Sequence, residues 1–577
     1  VRPCARLNAS PSVTASRSGS TAAGSVHAST SACVEQPATG RTQPASPRWP
    51  PGAAALRLTS AMPRWFNTAG PCNPADHYML PAEERLPAVR DLVDRKAYFV
   101  LHAPRQIGKT TSLRTLAQDL TAEGRYVAVL VSAEVGAPFS DDPGAAELAM
   151  LAEWRGTAGA QLPADLRPPP FPDAPAGQRI GAALRAWAQA APRPLVVFLD
   201  EADALRDATL VSLLRQIRSG YPDRPRDFPH ALALVGLRDV RDYKVASVDS
   251  GRLGTSSPFN IKVESLTLRN FTRDEVATLY AQHTAETGQV FRPDAVDRAF
   301  ELTQGQPWLA NALARQLVEV LVKDRAQPIT SANVDRAKEI LIERQDTHLD
   351  SLVDRLREPR IRAVIEPMLA GTALPSVPPD DLRFAIDLGL VRMTAEGGLD
   401  VANPIYREII VRELAFPIRA SLPQIKATWL TQDGRLDADR LLDAFLSFWR
   451  QHGEPLLGAA PYHEIAPHLV VMAFLHRVVN GGGTVEREYA IGRGRMDLCV
   501  RYAGETLAIE LKVWRDGRPD PVAEGLAQLD EYLAGLGLDR GWLILFDQRS
   551  GQPPIAERTR RERALSPAGR EVAVIRA

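Results

Sequence analysis

The stretch from Ala97 to Leu120 reads AYFVLHAPRQIGKTTSLRTLAQDL and predicts a strand, a loop and a helix in that order. Its first part, Ala97 to Ala103, is an apolar and aromatic run of the kind found in buried strands. Its last part shows helical spacing, because leucine and alanine recur on one stripe at Leu113, Leu116, Ala117 and Leu120. The stretch therefore indicates an α/β fold, in which strands alternate with helices.

The loop between this strand and this helix fits the pattern GxxxxGK[ST], except that Ala103 stands where the first glycine is expected. An alanine is tolerable there only if its φ is negative. Backbone N–H groups of such a loop, at a helix N-terminus, surround phosphate oxygens. We expect Lys109 to reach the β- and γ-phosphates of ATP and Thr110 to ligate Mg²⁺, although a chance Gly-Lys-Thr at an ordinary turn is the alternative. The residues predicted to contact the nucleotide are Ala103, Pro104, Arg105, Gln106, Ile107, Gly108, Lys109, Thr110 and Thr111.

Two acidic residues, Asp200 and Glu201, follow the apolar run Pro194 to Leu199. Asp200 suits the carboxylate on the Mg²⁺ side, and Glu201 suits the base that orients a water. An Asp-Glu pair after a strand is also a common helix N-cap. The phosphate-binding loop and this acidic pair occur in the order expected of an ATPase, with a helix and another strand between them. Together they predict ATP and Mg²⁺ as cofactors.

The composition limits the classes of protein to consider. At 577 residues the chain is long enough for about four domains. Its formal net charge is zero, so contacts with nucleic acid must come from local patches. No apolar run approaches the ~18–20 residues of a membrane span, so we expect no membrane partner. The four cysteines include no CxxC pair, which favours a reducing, cytoplasmic location.

Residues 1–61 differ in composition from the rest of the chain. They are rich in Ser, Ala, Thr and Pro and contain a single acidic residue, Glu35. Such a segment buries too little apolar surface to offset the entropy lost on ordering. We predict a disordered or spurious extension, with Met62 as the true start, although a transit peptide has the same composition.

Residues 62–340 resemble the AAA-like ATPases of the branch that includes archaeal ATPases, archaeal replication initiators and STAND switch proteins. The resemblance rests mainly on the phosphate-binding loop, the run Phe198 to Asp203 and the turn Gly305-Gln306-Pro307-Trp308. It implies a P-loop ATPase core over residues 62–265 and a helical lid over residues 266–340. Residues 136–178 are rich in Pro, Ala and Gly and are predicted to be a surface insertion in that core.

The same resemblance assigns roles to three further residues. In these ATPases a polar residue at the end of the next strand senses the γ-phosphate, which makes Arg238 the candidate. A Gly-x-Pro turn of the lid lies near the nucleotide, which implies this role for Gly305 and Pro307. Plainer interpretations exist, since an arginine at a strand end is often simply exposed and Gly and Pro also punctuate helices.

The chain between the lid and the last domain is less distinctive. Residues 341–420 show two helical patterns followed by two short strands, which resembles a winged helix. Such modules bind DNA or serve as internal clamps, and no basic run decides between these roles. Residues 421–454 are predicted to be a helical connector to a domain over residues 455–577.

Two strands near the C-terminus are predicted to bring carboxylates and a lysine together. Along Thr506 to Val513 the apolar residues share one face, and Glu510 and Lys512 share the other. Asp497, on a neighbouring antiparallel strand, can hold one or two Mg²⁺ ions together with Glu510. Lys512 can orient a metal-bound water or neutralise developing charge.

This ordered set resembles the PD-(D/E)XK nucleases, in particular their RecB-like members. The motifs are Gly494 to Asp497, Glu510 to Lys512, and the pair Gln528 and Tyr532, which share one helix face and could position a nucleic-acid strand. The resemblance implies a restriction-endonuclease-like α/β domain with a Mg²⁺-dependent nuclease centre. It also implies a further metal ligand from the first helix, for which Glu464 is the candidate. The alternatives are a surface ion pair for the Glu-x-Lys motif and a structural salt bridge for the carboxylates.

We therefore expect a multidomain α/β protein that joins an ATP-binding and ATP-hydrolysing switch to a Mg²⁺-dependent nuclease acting on DNA. The two sites use two of only eight lysines, Lys109 and Lys512, in a chain with sixty-one arginines. The rival hypothesis is a nucleotide-dependent DNA-binding or scaffold protein with a silent nuclease fold. A third is an ATPase that assembles into a homo-oligomeric ring, in which Arg105, Arg238 or Arg241 acts across subunits.

Overall fold

The computed structural model describes residues 63–237, 261, 263–344, 354–369, 377–394, 397–422, 427–459, 466–479, 483–491 and 494–577. These residues belong to one compact unit, Met62–Ala577. The predictions made for residues 1–61, Met62, Arg238, Arg241 and Glu464 concern residues outside the described ranges. Within those ranges, no helix combines the length and the apolar character needed to cross a membrane.

A five-stranded, all-parallel sheet forms the core of the first half of the chain. Its strands are β1 (Tyr98–His102), β2 (Val127–Ser132), β3 (Leu195–Asp200), β4 (Ala231–Gly236) and β5 (Glu264–Thr267), in the order β2-β3-β4-β1-β5. The first four are almost entirely buried, as expected of apolar strands in a parallel sheet. Their carboxyl ends meet at one edge, where ligands bind in folds of this kind.

Helices cover both faces of this sheet. On one face, the helices Ala82–Arg85, Pro87–Asp94 and Lys109–Ala122 pack with Phe99 and Leu101 of β1. On the other face, the helices Pro143–Gln161, Arg179–Ala190 and Asp207–Gly220 pack with Tyr98 and Val100. Alternate residues of one strand therefore divide between two cores. Short 3₁₀ turns complete this half at Glu134–Phe139, Ala164–Leu166, Ala202–Ala204 and Tyr221–Asp223.

The prediction of a surface insertion over residues 136–178 is wrong for the long helix in that segment. The helix Pro143–Gln161 lies within it and belongs to the core, since Met150 and Trp154 are almost fully buried. Trp154 Nε1 donates to the Ser132 carbonyl oxygen at 2.8 Å and so ties the helix to the end of β2. Of the small residues that suggested a loop, Gly144 allows a close approach, because a Cβ there would lie 2.9 Å from Ala176 Cβ.

The lid follows β5. It consists of the helices Arg273–Thr287, Pro293–Thr303, Pro307–Gln316 and Ser331–Arg344, with a π-helical turn at Leu317–Leu321. A capping box between Thr272 and Glu275 begins the first of them. Phe66 and Tyr78, from the start of the described chain, pack against each other and belong to the lid's apolar core.

Two helices and a strand pair come after the lid, in the order expected from the sequence. They are Pro359–Leu369, Pro379–Asp387, β6 (Val391–Met393) and β7 (Leu399–Val401), and the two strands are antiparallel. The helices Pro404–Ser421, Ala438–Ala459 and Ala466–Val479 continue the chain. The predicted domain boundary at residue 455 falls inside the second of these. The assignment of residues 341–420 as a winged helix stays a prediction.

A six-stranded mixed sheet ends the chain. Its strands are β8 (Thr484–Ile491), β9 (Gly494–Tyr502), β10 (Glu505–Trp514), β11 (Arg540–Asp547), β12 (Arg560–Leu565) and β13 (Glu571–Arg576), in the order β12-β13-β11-β10-β9-β8. The helix Val522–Leu536 joins β10 to β11, which pair in parallel, and a short helix, Ile555–Arg558, precedes β12. β12 and β13 have no counterpart among the elements predicted from the sequence.

One continuous apolar core joins the lid to the last sheet. Its members extend from Phe66 through the lid and the helix Pro404–Ser421 to Ala577. An ionic group reinforces this junction, because Lys338 contacts Glu408, and Arg412 contacts both Glu339 and Glu408. These contacts link the last helix of the lid to the helix Pro404–Ser421, so the lid and the elements after it pack as a single body.

Candidate functional site

The phosphate-binding loop predicted from the sequence lies at the carboxyl end of β1, before the helix Lys109–Ala122. Gly108 caps this helix in the left-handed conformation, with φ 94°. A Cβ there would meet no atom within 4 Å, so the backbone conformation, and not space, favours glycine. Gln106 also has a positive φ, 59°. Ala103 is not among the residues with positive φ, which meets the condition on an alanine at this position.

The Lys109 side chain curls back over the loop. Its Nζ donates to the carbonyl oxygens of Ala103, at 2.8 Å, and Pro104, at 3.0 Å. Burial lowers the pKa of this amine, and the negative charges of Asp200 and Glu201 oppose that shift. An amine held only by neutral carbonyls is a ready partner for an anion, because charge-assisted hydrogen bonds to phosphate are stronger.

Thr110 and Asp200, which were predicted to share a Mg²⁺ ion, are in direct contact. Thr110 Oγ1 donates to Asp200 Oδ2 at 2.6 Å, and Asp200 Oδ1 accepts from the Glu201 backbone N–H at 3.0 Å. Burial, and then the charge of Asp200, raise the pKa of Glu201. A hydroxyl and a carboxylate side by side are hard oxygen ligands of the kind that Mg²⁺ prefers. The residues present therefore fit the ion.

A cavity of about 420 Å³ opens beside this loop, enclosed by the loop, the segment before β1 and the lid. Among the residues predicted to contact the nucleotide or its ion, Arg105 to Thr111, Glu201 and Pro307 line it. The others lie outside its lining; they are Ala103, Pro104, Asp200 and Gly305.

Gly305 is required for the backbone conformation of the lid. Its φ is +69°, and a Cβ there would lie 1.9 Å from the Phe271 carbonyl oxygen. The Phe271 N–H in turn donates to the Gly305 carbonyl oxygen at 2.8 Å. Glycine is therefore required by a close backbone approach, and this approach places Phe271 in the lining of the cavity.

The segment before β1 is held between the lid and the loop helix. Trp308 Nε1 donates to the Thr68 carbonyl oxygen, and Arg315 Nη1 donates to the Thr68 hydroxyl, both at 2.8 Å. The Cys72 N–H donates to Thr111 Oγ1 at 3.0 Å. A ligand in the cavity would therefore contact three parts of the chain that are already tied to one another.

Arg85 lines the cavity and was not predicted from the sequence. Its Nη2 donates to the Ile107 carbonyl oxygen at 3.1 Å, and its guanidinium lies over the Phe271 ring at 4.6 Å. Arg85 is 6% exposed, and burial lowers its pKa to about 10. Its Nη1 is buried without a hydrogen-bond partner. Nothing in the local sequence marks this arginine, because its importance comes from contacts distant in the chain.

Asn311, in the lid, is a second cavity residue that sequence reasoning missed. Its Nδ2 donates to the Pro307 carbonyl oxygen at 2.8 Å, which fixes the orientation of the amide, because a carbonyl can only accept. Its Oδ1 is buried and has no hydrogen-bond partner. The lid therefore contributes an unsatisfied acceptor to the cavity wall.

The outer side of the phosphate-binding loop contacts the turn that precedes β6. Gly389, in this turn, has a φ of +73°, and a Cβ there would lie 2.8 Å from Pro104 Cβ. A second cavity, of about 660 Å³, extends from this contact and is lined by Pro104 and Arg105 on one side and by Leu388 to Met393 on the other. The loop thus lines the first cavity on one side. On its other side it contacts the helix–strand module, which consists of the helices Pro359–Leu369 and Pro379–Asp387 with β6 and β7.

The carboxylates and the lysine predicted for the second site meet on β9 and β10. Lys512 Nζ donates to Glu510 Oε1 at 2.8 Å, and Asp497 Oδ2 accepts from the Leu511 N–H at 2.8 Å. Glu510 is 3% exposed, and its Oε2 is buried without a hydrogen-bond partner. Burial, and then the charge of Asp497, raise the pKa of Glu510 to about 7. This orphaned oxygen beside a second carboxylate fits a divalent cation.

The helix Val522–Leu536 covers the same face of the sheet. Ala508 of β10 packs with Leu529 and Tyr532 of that helix, and Glu510 follows Ala508 on the same side of the strand. Tyr532 is largely buried in this cluster, and Gln528 Oε1 is buried without a hydrogen-bond partner. In the parts of the chain that are described, no group of three or more His, Cys, Asp or Glu side chains could hold a metal ion. The further ligand predicted at Glu464 lies outside those parts.

Neither a known protein family nor a curated protein matches this sequence. Among solved structures, the Walker-type ATPase PABY2304 of Pyrococcus abyssi is 13% identical, covers 60% of this chain and 99% of its own, and has a TM-score of 0.43. The RuvB Holliday junction branch migration motor of Thermotoga maritima is 18% identical, covering 57% and 93%, with a TM-score of 0.32. The ORC2 protein of Aeropyrum pernix is 14% identical, covering 58% and 92%, with a TM-score of 0.35.

The geometry of the first half identifies its fold. A parallel sheet in the order β2-β3-β4-β1-β5, a glycine-bearing loop after β1 and an aspartate at the end of β3 form a P-loop ATPase fold. This confirms the predicted α/β class and the P-loop for this part of the chain. The roles of individual residues and the nuclease-like character of the last sheet stay predictions.

Proposed function

We propose that this protein is an ATP-binding and ATP-hydrolysing switch whose nucleotide state controls a Mg²⁺-dependent nuclease acting on DNA. The observation that carries the ATPase part is the contact between Asp200 and Thr110, a residue that lines the cavity together with Lys109. The observation that supports the nuclease part is the grouping of Asp497, Glu510 and Lys512 on two adjacent strands.

In the ATPase cavity, each residue has a separate task. The backbone N–H groups after Gly108 and the Lys109 amine bind phosphate oxygens, once the amine exchanges its carbonyl partners for them. Thr110 and Asp200 would hold Mg²⁺, and a bound ion would offset charge on the phosphates. Glu201, whose pKa is raised, accepts a proton from the attacking water more readily than an ordinary carboxylate.

At the second site, the buried Glu510 and the partly buried Asp497 are the metal ligands we propose, and a bound Mg²⁺ would activate a water and offset charge on the phosphodiester. Glu510 already has one oxygen committed to Lys512 and the other without a partner. Lys512 is partly exposed, so its amine can turn from Glu510 toward a phosphate oxygen. Gln528 and Tyr532 come from the helix on the same face and are proposed to position the strand.

Two sets of contacts support the coupling between the sites. Pro104 of the phosphate-binding loop abuts Gly389, so a shift of the loop on nucleotide binding displaces the helix–strand module. The buried ionic group around Glu408 joins the lid to the helix Pro404–Ser421, and the apolar core continues from there to the last sheet. Packed interiors transmit such shifts because they are not freely deformable.

One observation favours a second candidate function, a nucleotide-dependent DNA-binding or scaffold protein in which the nuclease fold is silent. In the described residues only two carboxylates, Asp497 and Glu510, come together at the second site. A single pair of carboxylates holds a divalent cation weakly unless further ligands complete the shell. Homo-oligomerisation through the ATPase half is compatible with either candidate.

Supercoiled plasmid incubated with the full chain and Mg²⁺, with ATP, with ADP or without nucleotide, tests the proposal. We expect Lys512→Ala to abolish nicking while ATP hydrolysis persists, and Lys109→Ala to abolish hydrolysis and the nucleotide dependence of nicking. Lys323→Ala, which removes an exposed lysine of the lid, is the matched control. If wild-type protein never cuts but binds DNA in a nucleotide-dependent manner, the second candidate is correct. Cutting that ignores both nucleotide and Lys109 refutes the coupling.

A further inference from the structure

A third cavity, of about 300 Å³, lies in the C-terminal module and takes no part in the proposed ATPase or nuclease centre. Its floor is apolar, formed by Leu507 and Trp542, which are each 4% exposed. Its rim carries three arginines, Arg540, Arg561 and Arg563. The volume falls at the lower end of the range of about 300–1,000 Å³ that small-molecule pockets span.

The three arginines on the rim differ in whether their guanidinium groups form ion pairs. Arg561 Nη2 contacts Asp439 Oδ1 at 2.5 Å. Both Arg540 and Arg563 are in paired strands, but their guanidinium groups form neither a hydrogen bond nor an ion pair with any residue that the structure describes. All three arginines line the same cavity as Asp439. The hydrogen bond from Arg561 lowers the pKa of Asp439, and the positive charges of Arg540 and Arg563 lower it further.

The backbone adds to this positive potential. The helix Ala438–Ala459 begins at the cavity, and its first two residues, Ala438 and Asp439, line the wall. The N-terminus of a helix carries a partial positive charge, so this 22-residue helix strengthens attraction to an anion. Glu571 is the other acidic residue of the lining, which leaves three guanidiniums and a helix N-terminus facing two carboxylates.

The cavity is separate from the carboxylates of the second site. Leu507, Ile509 and Leu511 face the apolar core on one side of the sheet, whereas Ala508 faces the helix Val522–Leu536 on the other. Glu510 shares the side of Ala508, so it lies on the face opposite to the cavity floor. Leu507 also precedes it by three residues, about 10 Å along the strand.

We propose that this cavity binds a phosphate group carried by a ligand of nucleotide size, with Arg540 and Arg563 as the phosphate-binding residues and Trp542 as part of the apolar floor. Two unpaired guanidiniums match the bidentate geometry of a phosphate, and arginine suits this role better than lysine because its donors form a rigid fork. The same chemistry is offered by a free nucleoside monophosphate and by the terminal phosphate of a nucleic-acid strand. The proposal holds whether or not the chain cuts DNA.

Binding of a fluorescent ten-nucleotide dT probe to the full chain in EDTA, followed by anisotropy, tests the site without cleavage. We expect the 5′-phosphorylated probe to bind more tightly than the 5′-hydroxyl probe. Arg540→Glu/Arg563→Glu is expected to weaken binding of the phosphorylated probe about tenfold or more and to erase this difference, as loss of phosphate contacts implies. Arg215→Glu/Arg218→Glu makes the same charge change at exposed arginines of the ATPase half and is the matched control.

Thymidine 5′-monophosphate, added as a competitor, distinguishes the two sources of the phosphate. Displacement of the phosphorylated probe at a concentration close to the probe's own Kd identifies a free nucleotide as the ligand, and failure to displace it identifies the strand end. Equal weakening by both double variants, or equal binding of the two probes to wild-type protein, overturns the proposal. Arg540→Gln/Arg563→Gln, which removes charge without reversing it, must show the same loss of discrimination, so a folding defect of the glutamate variant cannot decide the outcome.

Discussion

Thr110 Oγ1 lies 2.6 Å from Asp200 Oδ2, so two residues ninety positions apart in sequence share one hydrogen bond at the carboxyl edge of the parallel sheet. The hydroxyl is the only polar group in the side chain of Thr110. We therefore expect Thr110→Ala to abolish the Mg²⁺-dependent part of ATP binding and to slow hydrolysis about a hundredfold, the usual effect of losing one preorganised electrostatic contact. Thr110→Ser keeps the hydroxyl and should retain most of the activity. Titration calorimetry with ATP, with and without Mg²⁺, measures the effect, and equal affinities for both variants would contradict it.

Asn311 should set a preference for adenine. Its amide is oriented by the Pro307 carbonyl, which leaves an unsatisfied acceptor, Oδ1, in the cavity wall. The exocyclic amine of adenine is a donor, whereas guanine presents a carbonyl at the same position of the ring. We expect Asn311→Ala to weaken ATP binding about fivefold, as one neutral hydrogen bond implies, and to leave GTP binding unchanged. Competition between ATP and GTP for the same protein measures this, and wild-type protein that binds both equally would refute it.

Glu510 should be needed for cleavage and for nothing in the ATPase half. Its buried, unpartnered oxygen is the proposed metal ligand, so Glu510→Gln removes the charge while keeping the shape. We expect nicking to fall about a hundredfold or more, while ATP hydrolysis and the melting temperature stay close to those of wild type. Glu505→Gln, at the exposed start of the same strand, is the control. If Glu510→Gln nicks plasmid as fast as Glu505→Gln, the assignment of the second site is wrong.

Gly389 offers a test of the coupling that substitutes no residue of either proposed site. Its positive φ and its closeness to Pro104 both oppose a side chain, so Gly389→Ala must displace either the turn or the phosphate-binding loop. Gly434 has a similar φ, +76°, but a Cβ there would meet nothing within 4 Å. Both alanine variants carry a strain of about 1–2 kcal/mol, and only the first should change the nucleotide dependence of nicking. Identical behaviour of the two variants would show that the contact transmits nothing.

Cys72 should report on occupancy of the nucleotide cavity. Its thiol lines the cavity, and burial raises its pKa above the ordinary value of 9.0, so little thiolate is present at neutral pH. Alkylation by iodoacetamide should therefore be slow at pH 7, accelerate as the pH rises past 9, and be suppressed by ATP, because the thiolate is the reactive form. Peptide mass spectrometry distinguishes Cys72 from the other cysteines. Modification at the rate of a free thiol, or without protection by nucleotide, would contradict the assignment.

The sequence predicted the elements whose burial pattern is regular. The apolar run of β1 and the stripe on the helix Lys109–Ala122 are visible because each periodicity matches one type of element. The sequence also predicted that Thr110 and Asp200 lie close together. Asp200 ends β3 and Thr110 follows the loop after β1, and the carboxyl ends of these two parallel strands lie at the same edge of the sheet. The helix Pro143–Gln161 was misread as a surface insertion, since its small residues conceal the buried Met150 and Trp154.

Other features could not be predicted because they depend on tertiary contacts. Arg85 matters through Ile107 and Phe271, one of them nearly two hundred residues away, and no local pattern marks it. The acceptor on Asn311 is defined only by the amide orientation that Pro307 imposes. The three arginines of the third cavity come from two strands. Arg540 begins β11, whereas Arg561 and Arg563 lie on β12, which the hydrophobic periodicity of the sequence did not predict.

The continuous apolar core from Phe66 to Ala577 limits how this protein can be dissected or reshuffled. A fragment ending after the lid, or one beginning at residue 455, would expose the surfaces that its missing half covers, and such surfaces promote aggregation. Point substitutions are therefore better suited than truncation to separating the two proposed activities. For the same reason, the terminal sheet moved alone into another protein would leave uncovered the apolar surface that the lid and the intervening helices bury.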